Sequence, residues 1–399
     1  MRIERTVLLT GGRAPATLEL ARLLRAAGQR VIVAESAARH LCAHSRYVQR
    51  SYRVPPPRTQ PEAYIDELCQ IMRKERVDLL IPTCEEIFYV AHGRERLLAH
   101  GDVLVEPLAV LRTLHDKWEF GKLARGAGAL VPHTVRAESA DERDAAIRQA
   151  TGPVVLKPVY SRFAAHVQII SEPSRARLSA LPVPSARQPW LVQRFIAGRQ
   201  LCSYAVAREG ELALYADYET VHTAGQGATI HFAYAAHAGV KDFVTRFVRR
   251  HRLSGQIAFD FIESKTGELY VIECNPRLTS GIHLFAGQTA AADAFLAGKS
   301  QGGAEGRAEA VVPQAGQTCM LTMAMLTYGL ANVKDWRGWT SWVRDLCNAR
   351  DVLFRAEDPR PFFDQFMMLG DLAWQSLRTK TSMLACSTSD IEWNGETPQ

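Results

Sequence analysis

The sequence predicts a multidomain chain of α/β and α+β architecture: a parallel sheet covered by helices, then a strand-rich region, then a helical C-terminal extension. Three observations carry this reading. Residues 1–115 alternate short apolar runs with stretches of helical apolar spacing, the pattern of a sheet with helices on both faces. From Asp116 the texture changes, and from Trp190 to Asn275 strand signals dominate with one clear helix among them, which is α+β texture. A compositional break, Gln301-Gly-Gly-Ala-Glu-Gly306, then reads as a linker to a tail with its own apolar helices. The 399 residues allow two to four domains at roughly 100–200 residues each.

The elements justify this in order. Thr6-Val-Leu-Leu-Thr10 is a buried strand, and Gly11-Gly12-Arg13 turns the chain into a helix over 16–27 capped by Gly28. A strand over 30–34 follows. Tyr64, Ile65, Leu68, Ile71 and Met72 stand at helical spacing within 61–76, ahead of a strand over 77–81. A further helix begins at Pro82-Thr83-Cys84-Glu85-Glu86, and a strand over 102–105 ends the region. Asp116 can N-cap the next helix, which stops at Gly126 and Gly128. A helix over 141–150 precedes a strand over 153–157. Strands over 191–196, 202–207, 212–218, 257–262 and 269–274 come next, interrupted by a helix over 241–252. In the tail, Trp339 and Trp342 share a helical face, which is core spacing rather than a ligand box.

Composition excludes several function classes. Apolar residues make up 47% and charged residues 23%, the balance of a soluble globular chain. No apolar run approaches the ~20 residues of a membrane span, and the apolar stretch near Met1 is too short for a signal peptide, so a cytoplasmic location is expected. The eight cysteines form no CxxC pair and no cluster with histidine, which argues for reduced, buried thiols and against zinc. After the first strand, Gly11-Gly12-Arg13-Ala14-Pro15-Ala16 lacks two of the three glycines of a dinucleotide fingerprint, so a nicotinamide cofactor is not expected despite Glu35. Residues 1–60 hold eleven Arg and three Glu, but no aromatic-interleaved basic motif accompanies them. A nucleic-acid partner is therefore not expected, and the net charge of +6 is assigned to solvated helix faces and an anionic small-molecule site. Lysine is scarce, nine against thirty-nine Arg, which singles out each lysine that remains.

The stretch that carries chemistry is Ile257-Ala-Phe-Asp-Phe-Ile262, a Thr266-Gly267 turn, and Leu269-Tyr-Val-Ile-Glu-Cys-Asn-Pro-Arg277. It reads as a hairpin. A two- or four-residue loop centred on that turn sets Asp260 opposite Glu273, with Asn275 on the same face. Carboxylates facing each other repel, and a hard cation between them removes that cost. Asp260, Glu273 and the amide oxygen of Asn275 suit Mg²⁺, which commonly also takes oxygens from nucleotide phosphates.

These residues, with others in order along the chain, resemble the ATP-grasp superfamily, the carboxylate–amine ligase and carbamoyl-phosphate-synthase-like ATP-binding fold. Lys117, in His-Asp-Lys-Trp at a helix start, resembles the first phosphate lysine, and Lys157, in Val154-Val-Leu-Lys-Pro158, the second. Leu191-Val-Gln-Arg-Phe-Ile-Ala-Gly-Arg-Gln200 resembles the interdomain hinge that holds adenine, which implies nucleotide contacts at Gln193, Arg194, Phe195, Ile196 and Gln200. The resemblance implies a Rossmann-like preceding domain at 1–115, a central subdomain at 116–190, a metal-bearing C-terminal subdomain at 191–300, and a linker and extension at 301–399. Two departures stand out. The expected glycine-rich flap is replaced by Tyr160-Ser-Arg-Phe-Ala-Ala-His166, so Ser161 and Arg162 are expected to contact phosphates through side chains. Gln193 and Gln200 stand where the family often has Glu; an amide at 200 still bonds a ribose hydroxyl.

The expected function is an ADP-forming ligase joining a small carboxylate to an amine through an acyl phosphate, with ATP and one or two Mg²⁺ ions (or Mn²⁺). Lys157 and Arg277 are the catalytic candidates, and His222 and Gln226, in a polar turn-rich loop, the substrate-side ones. The alternatives are a small-molecule kinase and a non-catalytic ATP-binding module. No membrane partner is expected, and a homodimer is compatible with the sequence.

Overall fold

The computed structural model describes residues 4–160, 166–172, 174–224, 228–296 and 309–395. The N-terminal region is a five-stranded parallel sheet in the order Arg50–Arg53, Arg30–Glu35, Thr6–Thr10, Leu79–Ile81, Asp102–Val103. Val7, Leu8 and Leu9 are buried, as a central strand with helices on both faces requires. The helix Pro61–Glu75 buries the five apolar residues expected of it and ends on Arg76 in the left-handed conformation. Gly11, at φ 70°, lets the chain turn hard against Thr83 after the first strand.

Two antiparallel sheets follow. A four-stranded sheet runs Thr134–Ala137, Trp190–Arg194, Val154–Pro158, Gln168–Ile170. A seven-stranded sheet runs Leu269–Asn275, Gly255–Ser264, Gly198–Arg208, Glu211–Thr220, His231–Tyr234, Thr318–Met320, Arg350–Asp351, with only the last pair parallel. Residues 195–197 join the two sheets. Gly198 opens the second so close to the Glu263 backbone that a side chain there would collide with it. The large sheet buries Phe259, Phe261 and Val271 against Phe120, Phe243 and Phe247.

The C-terminal extension is helical in Trp336–Asn348 and Arg360–Thr379, and it also supplies two short strands to the large sheet. The expected linker at 301–306 lies outside the described residues. The extension is bound to the N-terminal region by buried charge. Arg22 reaches Asp358 at 3.0 Å and donates to the Val352 and Leu353 carbonyls, with both side chains almost fully buried. Asp358 also accepts from Ser45 and from the Arg46 amide. Further along, Arg13 grips Asp390, and Trp393 stacks on Phe88 with centroids 4.4 Å apart. Among the described residues, no helix is long and apolar enough to cross a membrane.

Breaking a buried ion pair strands its partner. Asp358→Ala should therefore cost about 3–5 kcal/mol, read as a lowered urea midpoint for loss of tertiary structure. An unchanged midpoint would show that the Arg22 contact does not hold the extension.

Candidate active site

The hairpin Gly255–Ser264 with Leu269–Asn275 places Asp260 directly opposite Glu273. It arrives there by two offsets that cancel. The turn holds three residues, 265–267, closed by the Ser264 carbonyl accepting from Gly267 and by Ser264 donating to Glu268, with Gly267 at φ 84°. That shifts the pairs near the turn by one from the expected register, to Ile262 opposite Tyr270 and Phe261 opposite Val271. A bulge at Ile272 then restores it, so Asp260 meets Glu273 and Ala258 meets Asn275. Asn275 donates to Asp260 Oδ2 at 3.3 Å and accepts from Arg277 at 3.2 Å.

Two lysines come in from other elements. Lys117 is the first residue of the helix Lys117–Gly126, whose N-cap Asp116 accepts from the Trp118 and Glu119 amides. Its Nζ lies 3.4 Å from Glu273 Oε2. Lys157 lies near the end of the strand Val154–Pro158 in the four-stranded sheet and is almost fully buried. Burial lowers the Lys157 pKa to about 8; Glu273 and Asp260 oppose that shift and Lys117 adds to it. Asp260 is raised by burial and by the facing Glu273, while Glu273, for all its burial, is held low by Lys117 and Lys157. One carboxylate thus carries the charge and the other tends to keep its proton. The donor set (two carboxylates and an amide oxygen) fits a hard divalent cation, which would favour the ionised form of Asp260 as well.

The other expected residues fall as follows. Gln200 is exposed, two residues from Cys202, which pairs with Asp260, so it lies on the same sheet face. Gln193 is buried and donates to Thr134 Oγ1 at 2.9 Å. Arg194 lies over the Tyr270 ring and donates to its hydroxyl. Phe195 and Ile196 are in the connection between the sheets, where the Phe195 amide donates to the Pro153 carbonyl at 3.0 Å. His222 is held by Asp345 of the extension at 3.0 Å, against the His231 ring. Ser161, Arg162 and Gln226 lie outside the described residues. The structure therefore gathers Lys117, Lys157, Asp260, Glu273, Asn275 and Arg277, and sets His222 in a contact with the extension.

One group escaped the sequence reading. Tyr160 donates to Asp116 Oδ2 at 3.0 Å and meets the Trp393 ring edge-on at 5.4 Å, with His115 alongside both. The C-terminal tail thereby braces the N-cap of the helix that begins with Lys117. The polar, Trp-bearing motif at 388–395 was the available signal, but its partners lie more than two hundred residues away.

A family model described as an ATP-grasp domain matches residues 114–281. The ATP-grasp assignment holds for those residues. Carboxyaminoimidazole ribonucleotide synthase from Aspergillus clavatus, solved with ATP, shares its fold at TM-score 0.61 and 14% identity, over 80% of this chain and 82% of that one. Biotin carboxylase from Campylobacter jejuni aligns at TM-score 0.58 and 15% identity, over 75% and 73%. An L-amino acid ligase from Bacillus licheniformis aligns at 0.56 and 15%, over 72% and 71%. No curated protein matches the sequence. The ATP-grasp match spans both lysines, the connection between the sheets and the acidic hairpin.

The electrostatics of this cluster make a prediction. Because the Glu273 charge raises both Lys157 and Asp260, Glu273→Gln should lower both: Lys157 to below about 8, and Asp260 toward the ordinary carboxylate range. NMR titration of ¹³C-labelled Lys and Asp side chains reads this directly. Unmoved resonances would contradict the coupling.

Proposed function

We propose that this chain is an ATP-dependent ligase that joins a carboxylate to an amine, forming ADP and phosphate. The observation that carries the reading is the convergence of two lysines, from a helix start and a strand end, on a pair of opposed carboxylates. Two compact cations suit a polyphosphate, and the acidic pair suits its metal. The fold relatives named for ATP or for amino acid ligation support it.

Asp260, Glu273 and Asn275 would hold Mg²⁺, which supplies charge neutralisation on the phosphate oxygens. Lys117 and Lys157 orient the phosphates from opposite sides. A carboxylate oxygen of the substrate attacks the γ-phosphorus, the bond to the bridging oxygen breaks and ADP leaves. Arg277 stabilises charge on the transferring group or holds the carboxylate. The amine then attacks the acyl carbon, phosphate departs with the original carboxylate oxygen, and the nitrogen loses a proton. Catalysis in the first step is positioning and electrostatics. In the nucleotide-binding region, Gln200 faces the ribose side, and Ser161 and Arg162 stand in for the flap glycines.

The deciding experiment follows the oxygen. Carboxylate and amine pools are first screened by mass spectrometry for ATP-dependent products. With the ¹⁸O-labelled acid so found, labelled inorganic phosphate should appear with ADP in step with the amide. Label retained in a phosphorylated product would mean a kinase, AMP would mean adenylation, and ATP binding with no turnover would mean a binding module.

Two further outcomes test the residues. Glu273→Gln should cut turnover by at least ~10²-fold with the fold intact. Lys157 is charged below about 8 and neutral above it, so nucleotide affinity of the free protein should fall as pH rises through that value. Lys157→Met should weaken binding and flatten this pH dependence, while Lys74→Met leaves both unchanged; calorimetric titration with MgADP distinguishes them.

A further inference from the structure

The helix Arg360–Thr379 turns its apolar face the wrong way for a monomer. Its inner side, with Pro361, Gln365 and Met368, packs against the rest of the molecule, and one flank is fastened by Asp364 to His44 and Asp371 to Arg39. Its outer side carries Phe363, Phe366, Met367, Trp374 and Leu377, which are 60%, 45%, 50%, 63% and 76% exposed. At 3.6 residues per turn these five and Gly370 lie within an arc of roughly 100°, with no charged residue among them. Among the described residues, nothing stands above Gly370.

We propose that this face is a dimer interface, and that its occupant is the same helix of a second copy of the chain, antiparallel about a twofold axis at Gly370. The spacing is self-complementary about that residue. Phe363 and Leu377 stand seven residues to either side, and Phe366 and Trp374 four, so an antiparallel copy sets Phe363 against Leu377 of the partner subunit and Phe366 against Trp374 of the partner subunit. This is the reciprocal pairing an isologous interface requires. Glycine is unfavourable in a helix interior by itself, but at the axis it lets two backbones approach.

Area and charge favour this occupant. With large apolar side chains carrying on the order of 150–250 Å² each, the exposed fractions amount to about 600 Å² per protomer, or roughly 1,200 Å² for a pair, where specific interfaces begin. A helix lying on an anionic membrane is rich in Lys and Arg. This one has Arg360 and Arg378 against Asp364 and Asp371, net zero.

The test is the mass of the full chain in solution. Sedimentation across about 1–100 µM should show a species of twice 44.3 kDa. Trp374→Glu and Met367→Glu should each convert it to monomer with unchanged circular dichroism, since both side chains point outward; Trp339→Glu, on the helix Trp336–Asn348, should leave the dimer intact. In a Cys347→Ser background, which removes an exposed thiol, Gly370→Cys should oxidise to a disulfide-linked dimer. A monomer throughout, whether or not it binds vesicles of phosphatidylcholine and phosphatidylserine, would overturn the proposal. So would a dimer that survives Trp374→Glu, and a dimer without the cross-link would overturn the twofold register.

Discussion

Two carboxylates face each other across the Asp260–Glu273 pair, and the rest of the site is arranged around the cost of keeping them there. At ~5 Å and an effective dielectric near 20, two full charges repel by on the order of 3 kcal/mol. The protein offsets this in two ways. Lys117 and Lys157 hold Glu273 ionised, and Asp260 is pushed toward its protonated form. Each lysine belongs to a different element, so the site exists only when the helix Lys117–Gly126, the four-stranded sheet and the hairpin are docked together. Its apolar side is equally demanding, because Phe259 and Phe261 alternate with Asp260 and are buried in the aromatic core beneath the sheet.

The hairpin was legible because alternation of side chains and a Thr-Gly turn are local signals. Even so, the expected register was reached through a three-residue loop and a bulge whose offsets cancel, and neither is visible in the alternation of apolar residues. The lysines were legible for a different reason: scarcity made them conspicuous, and an apolar strand preceded Lys157. The strand Arg50–Arg53 was missed because it is a polar edge strand, recognisable only by the neighbour it pairs with. The strands Thr318–Met320 and Arg350–Asp351 were missed likewise, since they complete a sheet begun far upstream. The contact between His222 and Asp345 joins residues 123 positions apart, a distance over which sequence spacing carries no information.

The connection at 195–197 and the C-terminal tail play opposite parts. The first is a short backbone link between two sheets and bears Phe195 and Ile196, two of the residues expected to meet the nucleotide. The tail crosses back over the N-terminal region and sets Trp393 against both Phe88 and Tyr160, whose hydroxyl donates to Asp116 at the start of the Lys117 helix. The helix that presents Lys117 is thus braced by a segment more than two hundred residues further along the chain.

The Arg22–Asp358 pair has a consequence for biosynthesis. Its members are 336 residues apart, so at about 5–20 residues per second an arginine destined for full burial waits on the order of 20–70 s for its counter-ion to be made. During that interval the first helix cannot close its outer side without stranding a charge. That face of the N-terminal region therefore stays open to solvent on the ribosome, although the strands of its own sheet are complete once residue 103 has been made.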